Sequence, residues 1–287
     1  MKILLLIPTL LFSFICTSKA QSAVYEEADS VRVVRLLKEA PVLSETADYI
    51  MYFANKLKGT PYVAKTLERD NGESLIVNLR GMDCTTFTEN VLALSLCMKN
   101  GKRTFGDFSG FLRRIRYAGG QVTYGKRLHY FTSWIDNNTT NGYVRELSED
   151  TLHNRLFATR QRLDIHFMTQ HINLYPQLTH DQSLVDTITT TEKHLTGKTA
   201  TYIPKARLHD HTLLKRYIHN GDIIAIVTSK QGLDTSHIGI VSWHSDGTLH
   251  LLNASQIHKK VIDEPMTLYQ YMQKHPSQIG IRVIRVL

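Results

Sequence analysis

The chain has 287 residues, of which 42% are hydrophobic, and a formal net charge of +8. No run of Lys and Arg is longer than a pair, so the charge argues against a nucleic-acid-binding segment and fits a protein that works beside an acidic polymer. The length and composition predict a globular protein with one large core or two modest ones.

The first twenty residues have the pattern of a secretory signal peptide. Lys2 precedes an apolar run that is too short to span a membrane with ease, and Ser18-Lys19-Ala20 has the small residues of a cleavage site. We expect cleavage after Ala20 and a periplasmic mature protein, residues 21–287, without a membrane span. Lipidation at Cys16 is the alternative, which the bulky residue before it disfavours.

The next part of the chain has helical periodicity. Apolar residues recur at three- and four-residue steps across 30–58, and Pro41 divides this run into two helices. Gly59-Thr60-Pro61-Tyr62 ends the second helix, because glycine and the residue before proline both disfavour helical backbone.

A cysteine stands at the start of the third predicted helix. Asp83 is a good N-cap, and Phe87 and Val91 follow at helical spacing, so Cys84 lies in the first turn. The free N–H groups and the helix dipole favour a negative charge there, and we expect a lowered pKa for the Cys84 thiol, as in a nucleophile. Cys97 on the same helix is about 20 Å away, too far for a disulfide. The alternative is that Cys84 is a small core residue.

The character of the chain changes after a further helix predicted at 105–117. Residues 121–215 are polar and poorly periodic, and we expect a large insertion whose elements the pattern does not place. Strands are predicted at 223–228, 236–243 and 248–254, and the last two form a hairpin around an Asp-Gly turn. Helices followed by an antiparallel sheet predict an α+β fold in a single domain.

A cysteine nucleophile needs a base and an acceptor that orients the base. His237 is the candidate base because it begins a strand on the same face as Gly239, which leaves space for a close approach. A loop that places Ser242 opposite Thr248 would place His237 directly opposite Asn253, about 5 Å away. Asn253 would then orient the imidazole. A slip of one residue would break this pairing, and a core histidine and a strand-end asparagine are the alternatives.

Four short motifs resemble those of the NlpC-type papain-like cell-wall hydrolases. They are Gly59-Thr-Pro-Tyr62, Asp83-Cys84-Thr-Thr-Phe87, Gly221-Asp222-Ile-Ile224 and His237-Ile-Gly-Ile240. Longer runs resemble the N-acetylmuramoyl-L-alanine amidase-like branch, among them Val77-Asn-Leu-Arg-Gly-Met-Asp-Cys84, Arg127-Leu-His-Tyr-Phe131 and Tyr202-Ile-Pro204. The similarity extends from about residue 45 to the C-terminus.

This resemblance implies a papain-like α+β fold, in which the nucleophile helix packs on an antiparallel sheet that carries the histidine. It implies Cys84 as the nucleophile, His237 as the base and Asn253 as the third polar residue. It also implies peptidoglycan fragments as substrate and hydrolysis of an amide through an acyl-enzyme. This chemistry needs no metal or other cofactor, and the Cys and His residues do not fall in zinc-site pairs.

Five polar or aromatic residues are candidate substrate contacts. Aromatic rings offer a platform for a sugar or a peptide, and a guanidinium can pair with a peptide carboxylate at two points. The candidates are Tyr62, Arg127, His129, Tyr130 and Trp134. The four-residue step from Tyr130 to Trp134 is also typical of core packing.

Cleavage of the bond between the muramic lactyl group and L-alanine is the leading hypothesis. An endopeptidase that cuts the stem peptide would use the same three residues. A non-catalytic envelope binding protein would have Cys84 buried and far from His237, and an acyl transferase would share the triad. No protein partner is predicted from the sequence.

Overall fold

The computed structural model describes residues 23–68, 72–148 and 155–287, so the predicted signal peptide and Cys16 lie outside the described residues. Ten α-helices are described within these ranges. They are Glu27–Glu39 (α1), Thr46–Lys56 (α2), Cys84–Lys99 (α3), Phe105–Arg116 (α4), Phe131–Thr140 (α5), Phe167–Gln170 (α6), Pro176–His180 (α7), Gln182–Leu195 (α8), His211–Leu214 (α9) and Leu268–Gln273 (α10). None of these helices is both long and apolar enough to cross a bilayer.

The strands of the described residues form one antiparallel sheet. They are Val144–Leu147 (β1), Thr159–Arg162 (β2), Thr199–Pro204 (β3), Ile223–Thr228 (β4), Thr235–Trp243 (β5), Leu249–Ser255 (β6), Lys260–Asp263 (β7) and Gln278–Val286 (β8). Their order is β2-β3-β8-β4-β5-β6-β7, and β1 also pairs with β8. The predicted α+β architecture with an antiparallel sheet is therefore confirmed.

Helix α3 lies between the other helices and the sheet. Every residue from Thr86 to Met98 is buried, because α2 and α4 cover one side of the helix and β5 and β6 cover the other. A helix surrounded in this way is held in place by packing on all sides. Its first turn therefore meets the sheet at a fixed position.

The predicted helices and strands agree with the structure at both ends of the chain. The run at 30–58 is divided near Pro41 into α1 and α2, and β4 has the predicted bounds. The stretch at 121–215 contains α5 to α9 and β1 to β3. Two of these strands, β1 and β3, pair with β8 in the main sheet.

Candidate active site

Cys84 is the first residue of α3. The Asp83 carboxylate accepts a hydrogen bond from the Thr86 backbone N–H at 2.8 Å, and the Asp83 N–H donates to the Thr86 hydroxyl at 3.0 Å. This reciprocal cap determines where the helix begins and confirms that Cys84 lies in its first turn. Cys84 is partly exposed, whereas Cys97 on the same helix is fully buried.

The thiol of Cys84 does not have the lowered pKa that we expected from its helix position. Burial, followed by the negative charge of Asp83, raises its pKa to about 12, and the nearby N–H groups of Ile238 and Thr85 oppose this only in part. A helix dipole contributes about 0.3–1 kcal/mol at a surface site, so desolvation and the adjacent carboxylate outweigh it. The expectation was wrong, and Cys84 rests as a neutral thiol.

His237 on β5 is oriented by Asn253. The imidazole Nε2 lies 3.0 Å from Oδ1 of Asn253, whose buried amide donates through Nδ2 to the Leu251 carbonyl at 3.1 Å. With the NH₂ turned to Leu251, Oδ1 is the acceptor, and a neutral His237 carries its proton on Nε2. Within the described part of the chain, Nδ1 of His237 makes no hydrogen bond. Nδ1 is therefore the nitrogen that can take a proton.

The surroundings keep His237 neutral. Burial lowers its pKa below the ordinary 6.5, while the hydrogen bond with Asn253 and the negative charges of Asp83 and Glu264 act in the opposite direction. The Glu264 carboxylate is fully buried and lies 3.3 Å from Nε2 of His258. A neutral imidazole beside a neutral thiol is the resting state that follows.

The strand register differs from the predicted one by two residues. Ser242 lies opposite His250 and not opposite Thr248. The loop is tighter than predicted, because the strands stay paired as far as His244, whose N–H donates to the Thr248 carbonyl at 3.0 Å. A shift of two keeps every side chain on its face of the sheet. Asn253 therefore reaches His237 along the diagonal rather than from directly opposite.

Gly239 makes this diagonal contact possible. Continued by one residue, the observed register places Gly239 opposite Asn253. A Cβ at Gly239 would lie 3.0 Å from the Asn253 Cβ and 2.8 Å from a methyl group of Leu251. The space expected beside this glycine is thus filled by the residue that orients the base.

Three observations place Cys84 beside His237. Helix α3 packs on β5 and β6. The N–H of Ile238, the residue after His237, faces the Cys84 sulfur. Asp83, which precedes the cysteine, is close enough for its charge to raise the pKa of His237. The cysteine, the histidine and the asparagine that the sequence singles out therefore lie at one place in the fold.

Tyr62 lies at the same place. Its backbone pairs with Met82 in an isolated bridge, and its N–H donates to the Lys259 carbonyl at 2.9 Å. Burial, with smaller contributions from the ionised forms of Cys84 and Asp83, raises the pKa of Tyr62 to about 12. Its hydroxyl therefore keeps its proton and is a hydrogen-bond donor near Cys84.

A pocket of about 360 Å³ opens beside the start of α3. The residues on either side of the cysteine in sequence, Asp83 and Thr85, form part of its wall, and Arg127 and His129 form another part. Two predicted substrate contacts therefore line this pocket.

The guanidinium of Arg127 is already paired within the protein. Its Nη2 lies 2.6 Å from the Glu68 carboxylate, its Nη1 lies 3.5 Å from Glu73, and the group stacks on the Tyr124 ring. The expected two-point pairing of Arg127 with a substrate carboxylate would have to replace these contacts, and it stays a prediction. His129 donates from Nε2 to the Tyr124 carbonyl at 2.9 Å, and burial, followed by the charge of Arg127, lowers its pKa to about 3. The His129 ring that lines the pocket is therefore neutral.

Tyr130 and Trp134 are core residues. The Tyr130 side chain is 3% exposed, and its hydroxyl donates to the buried Glu192 at 2.6 Å. Trp134 is 1% exposed and stacks on Phe131. Neither offers a surface to a substrate, so the role we expected for them is corrected to packing, the alternative that their four-residue spacing had left open.

A buried ion pair in the wall of the pocket was not predicted from the sequence. Arg116 on α4 and Glu89 on α3 meet at 2.7 Å, and each side chain is 2% exposed. Arg116 also donates to the Ile76 carbonyl at 2.7 Å. A glutamate in the middle of an apolar helix requires a partner, and this signal was present in the sequence, although it does not identify Arg116.

Comparisons with known proteins converge on one family. The model of the AmiA-like family, described as N-acetylmuramoyl-L-alanine amidase-like, matches residues 52–281. An N-acetylmuramoyl-L-alanine amidase from Bacteroides uniformis has a similar structure, with a TM-score of 0.78 and 36% identity over 85% of this chain and 100% of that chain. No curated protein sequence gives a significant match.

Two further solved structures are similar. A Bacteroides fragilis protein named as a proposed xylanase has a TM-score of 0.74 and 39% identity over 81% of this chain and 98% of that chain. A Legionella pneumophila protein at 22% identity has a TM-score of 0.69 over 91% and 95% of the two chains and shares the fold.

Proposed function

The chain belongs to the N-acetylmuramoyl-L-alanine amidase-like family, and from this we propose that it hydrolyses the amide between the muramic lactyl group and L-alanine through a cysteine acyl-enzyme. The observation that carries the proposal is the meeting of Cys84 with the His237–Asn253 pair at the start of α3. We further propose that the fold is the papain-like fold of the NlpC-type hydrolases and that the protein acts in the periplasm after export.

Both partners begin the reaction uncharged. As the Cys84 sulfur attacks the amide carbonyl carbon, its proton passes to Nδ1 of His237, and the carbonyl π electrons move to the oxygen. The backbone N–H of Cys84, which lies in the first turn and has no helical acceptor, can donate to this oxyanion. The hydrogen bond from Nε2 to Asn253 stabilises the imidazolium that forms.

Collapse of this intermediate breaks the carbon–nitrogen bond. His237 gives its proton to the departing amine of L-alanine, and the lactyl group stays on Cys84 as a thioester. Water, with its proton taken by His237, then attacks the thioester carbon, and the cysteine leaves as the thiol after the proton returns. The products are a lactyl carboxylic acid and a peptide with a free amino terminus.

The xylanase name of the Bacteroides fragilis protein does not fit the carboxylates beside this site. Glycosidases use two carboxyl groups that flank the scissile bond. Here Asp83 caps α3, and Glu89 and Glu68 are ion-paired with Arg116 and Arg127. A stem-peptide endopeptidase with the same triad is the second candidate, and the family match favours the amidase.

The decisive experiment compares wild type with Cys84→Ala on defined muropeptides, with products identified by mass spectrometry. We expect wild type to release the intact peptide from the sugar, and Cys84→Ala to lose on the order of 10⁴-fold or more in kcat. Cys97→Ala is the matched control, because it removes the other thiol of the same helix at a buried position, and we expect its kcat to stay close to wild type.

Two results would contradict the proposal. Turnover that survives in Cys84→Ala would exclude the acyl-enzyme. Products cut within the peptide, with L-alanine still attached to the sugar, would replace the amidase by the endopeptidase.

A further inference from the structure

The pocket beside Cys84 has a defined relation to the scissile bond. Asp83 and Thr85 lie on its wall, so a group that fills the pocket is attached to the substrate close to the carbon that Cys84 attacks. The volume of about 360 Å³ suits a few atoms of a peptide or of one sugar ring.

Most charges in this pocket are compensated within the protein. Arg116 is paired with Glu89 at 2.7 Å, and Arg127 is paired with Glu68 at 2.6 Å. The Asp83 carboxylate is occupied by the first turn of α3. These groups shape the pocket, and both of its arginines are paired with carboxylates of the protein.

Lys65 is the exception among the basic residues that line the pocket. Its Nζ has one contact in the described residues, the Leu174 carbonyl at 3.4 Å, and no carboxylate of the described residues lies within ion-pair distance. Its backbone has φ of 59°, a left-handed conformation that costs a residue other than glycine about 1–2 kcal/mol. A hydrogen bond from the Glu68 N–H to the Lys65 carbonyl at 3.1 Å closes this turn. The fold thus holds an exposed ammonium at the pocket.

An acceptor without a donor lies in the same wall. Oε2 of Glu68 is buried and has no hydrogen-bond partner among the residues that the structure describes, while Oε1 pairs with Arg127. A ligand that offers a carboxylate to Lys65 and an N–H group to Glu68 would satisfy both, and a peptide carries both groups. An uncharged sugar carries no anion for the ammonium.

We propose that this pocket binds the acidic peptide on the amine side of the scissile bond, with Lys65 pairing with a peptide carboxylate. The inference rests on the proposed function, because it is the lactyl–L-alanine bond that separates a neutral sugar from a peptide that bears every carboxylate of the substrate. Lys65 is then a specificity-determining residue: the enzyme discriminates by the charge of the stem peptide.

The test measures binding and needs no turnover. In the Cys84→Ala background, the affinity for N-acetylmuramoyl-L-alanyl-D-glutamic acid is compared with that for its diamide by calorimetry. Lys65→Met is expected to weaken binding of the acid by about fivefold to tenfold, the contribution of a charge-assisted hydrogen bond at a partly exposed site, and to leave binding of the diamide unchanged. Lys65→Arg is expected to keep the preference for the acid.

Lys99→Met is the matched control, because it removes the same charge at the opposite end of α3. Equal binding of acid and diamide by the protein with Lys65 intact would overturn the proposal, as would equal losses for both ligands in Lys65→Met or no binding of the acid at all. Failure of the proposed function has different signatures, which are turnover that survives in Cys84→Ala and products cut within the peptide. Neither of them changes how the binding of acid and diamide is compared.

Discussion

The two sides of Cys84 are built on opposite principles. On the side of the sheet, His237 and Asn253 are uncharged and are held by a hydrogen bond and by strand register. On the side of the pocket, charged groups meet in buried or partly buried ion pairs. The difference fits the proposed proton transfer between neutral partners, with fixed charges that shape the pocket.

The two arrangements also depend on different physical terms. Neutral groups in a buried site cost little desolvation and can change protonation state during a reaction. Buried ion pairs stay charged only while both partners are present, because an isolated buried charge is very costly. Removal of one group on the sheet side should therefore affect catalysis, and removal of one group on the pocket side should affect stability.

The largest expected effect tests the pocket side. Arg116→Met leaves Glu89 buried without its partner and should lower the free energy of unfolding by about 3–5 kcal/mol, measured by urea denaturation. Burial raises the pKa of the Glu89 carboxyl, so an unpartnered Glu89 takes up a proton in the folded state. The loss should therefore be largest at neutral pH, should shrink as the pH falls through the raised pKa of Glu89, and should be absent below the pKa of an unfolded glutamate.

The double variant Glu89→Met/Arg116→Met is the control, because it removes both charges and keeps apolar volume. It should recover most of the lost stability. If the single variant costs less than about 1 kcal/mol, in the range of a surface pair, this buried pair is not a structural element of the pocket.

A smaller effect is expected on the sheet side. Asn253→Ala removes the acceptor of His237 and should lower kcat about tenfold to hundredfold, since an unsatisfied buried donor costs about 1–3 kcal/mol. The hydrogen bond with Asn253 raises the pKa of His237, so its loss should move the acid limb of the kcat profile to lower pH. Asn253→Asp keeps the acceptor and adds a negative charge, which should move the limb to higher pH. Acid limbs at the same pH in the two variants would contradict the hydrogen bond from His237 to Asn253.

The smallest effect concerns a charge behind the base. Since the reaction needs neutral His237 and burial lowers its pKa, kcat/KM of the wild type should rise through an acid limb below pH 6.5 and stay level through neutral pH. Glu264 raises this pKa by less than Asn253 does, so Glu264→Gln should move the limb to lower pH by the smaller amount. His258→Gln is the control, because it removes the partner of Glu264 and keeps the Glu264 carboxylate. An acid limb above pH 6.5 in the wild type would refute the neutral resting state.

Local patterns in the sequence were sufficient to predict the elements that carry Cys84, His237 and Asn253. The cap at Asp83 and the helical period locate Cys84 at the start of α3, because both signals lie within a few residues of it. The sequence correctly placed His237 and Asn253 on the same face of the sheet, although the predicted strand register was wrong by two residues. Side chains of a strand alternate between the two faces, so an error of two residues leaves each side chain on its predicted face. The turn at Gly247 closed more tightly than the sequence indicated.

Long-range partners could not be predicted in the same way. The pairings of Arg127 with Glu68 and of Tyr130 with Glu192 join residues about sixty positions apart, and no local period encodes them. These pairings occupy the Arg127 guanidinium and fix Tyr130 in the core. The raised pKa of Cys84 has the same origin, since the desolvation comes from residues that only the tertiary fold brings together.

The position of β8 in the sheet makes the C-terminal strand a junction. Gln278–Val286 pairs with β1, β3 and β4, strands that lie earlier in the chain. Pairings of such sequence separation are slow to form, because a long loop must be closed before they form. The strands that carry His237 and Asn253 reach β8 only through β4. A chain that lacks residues 278–286 would therefore keep the pairing of β4, β5 and β6 but would lose the strand that joins them to β1 and β3.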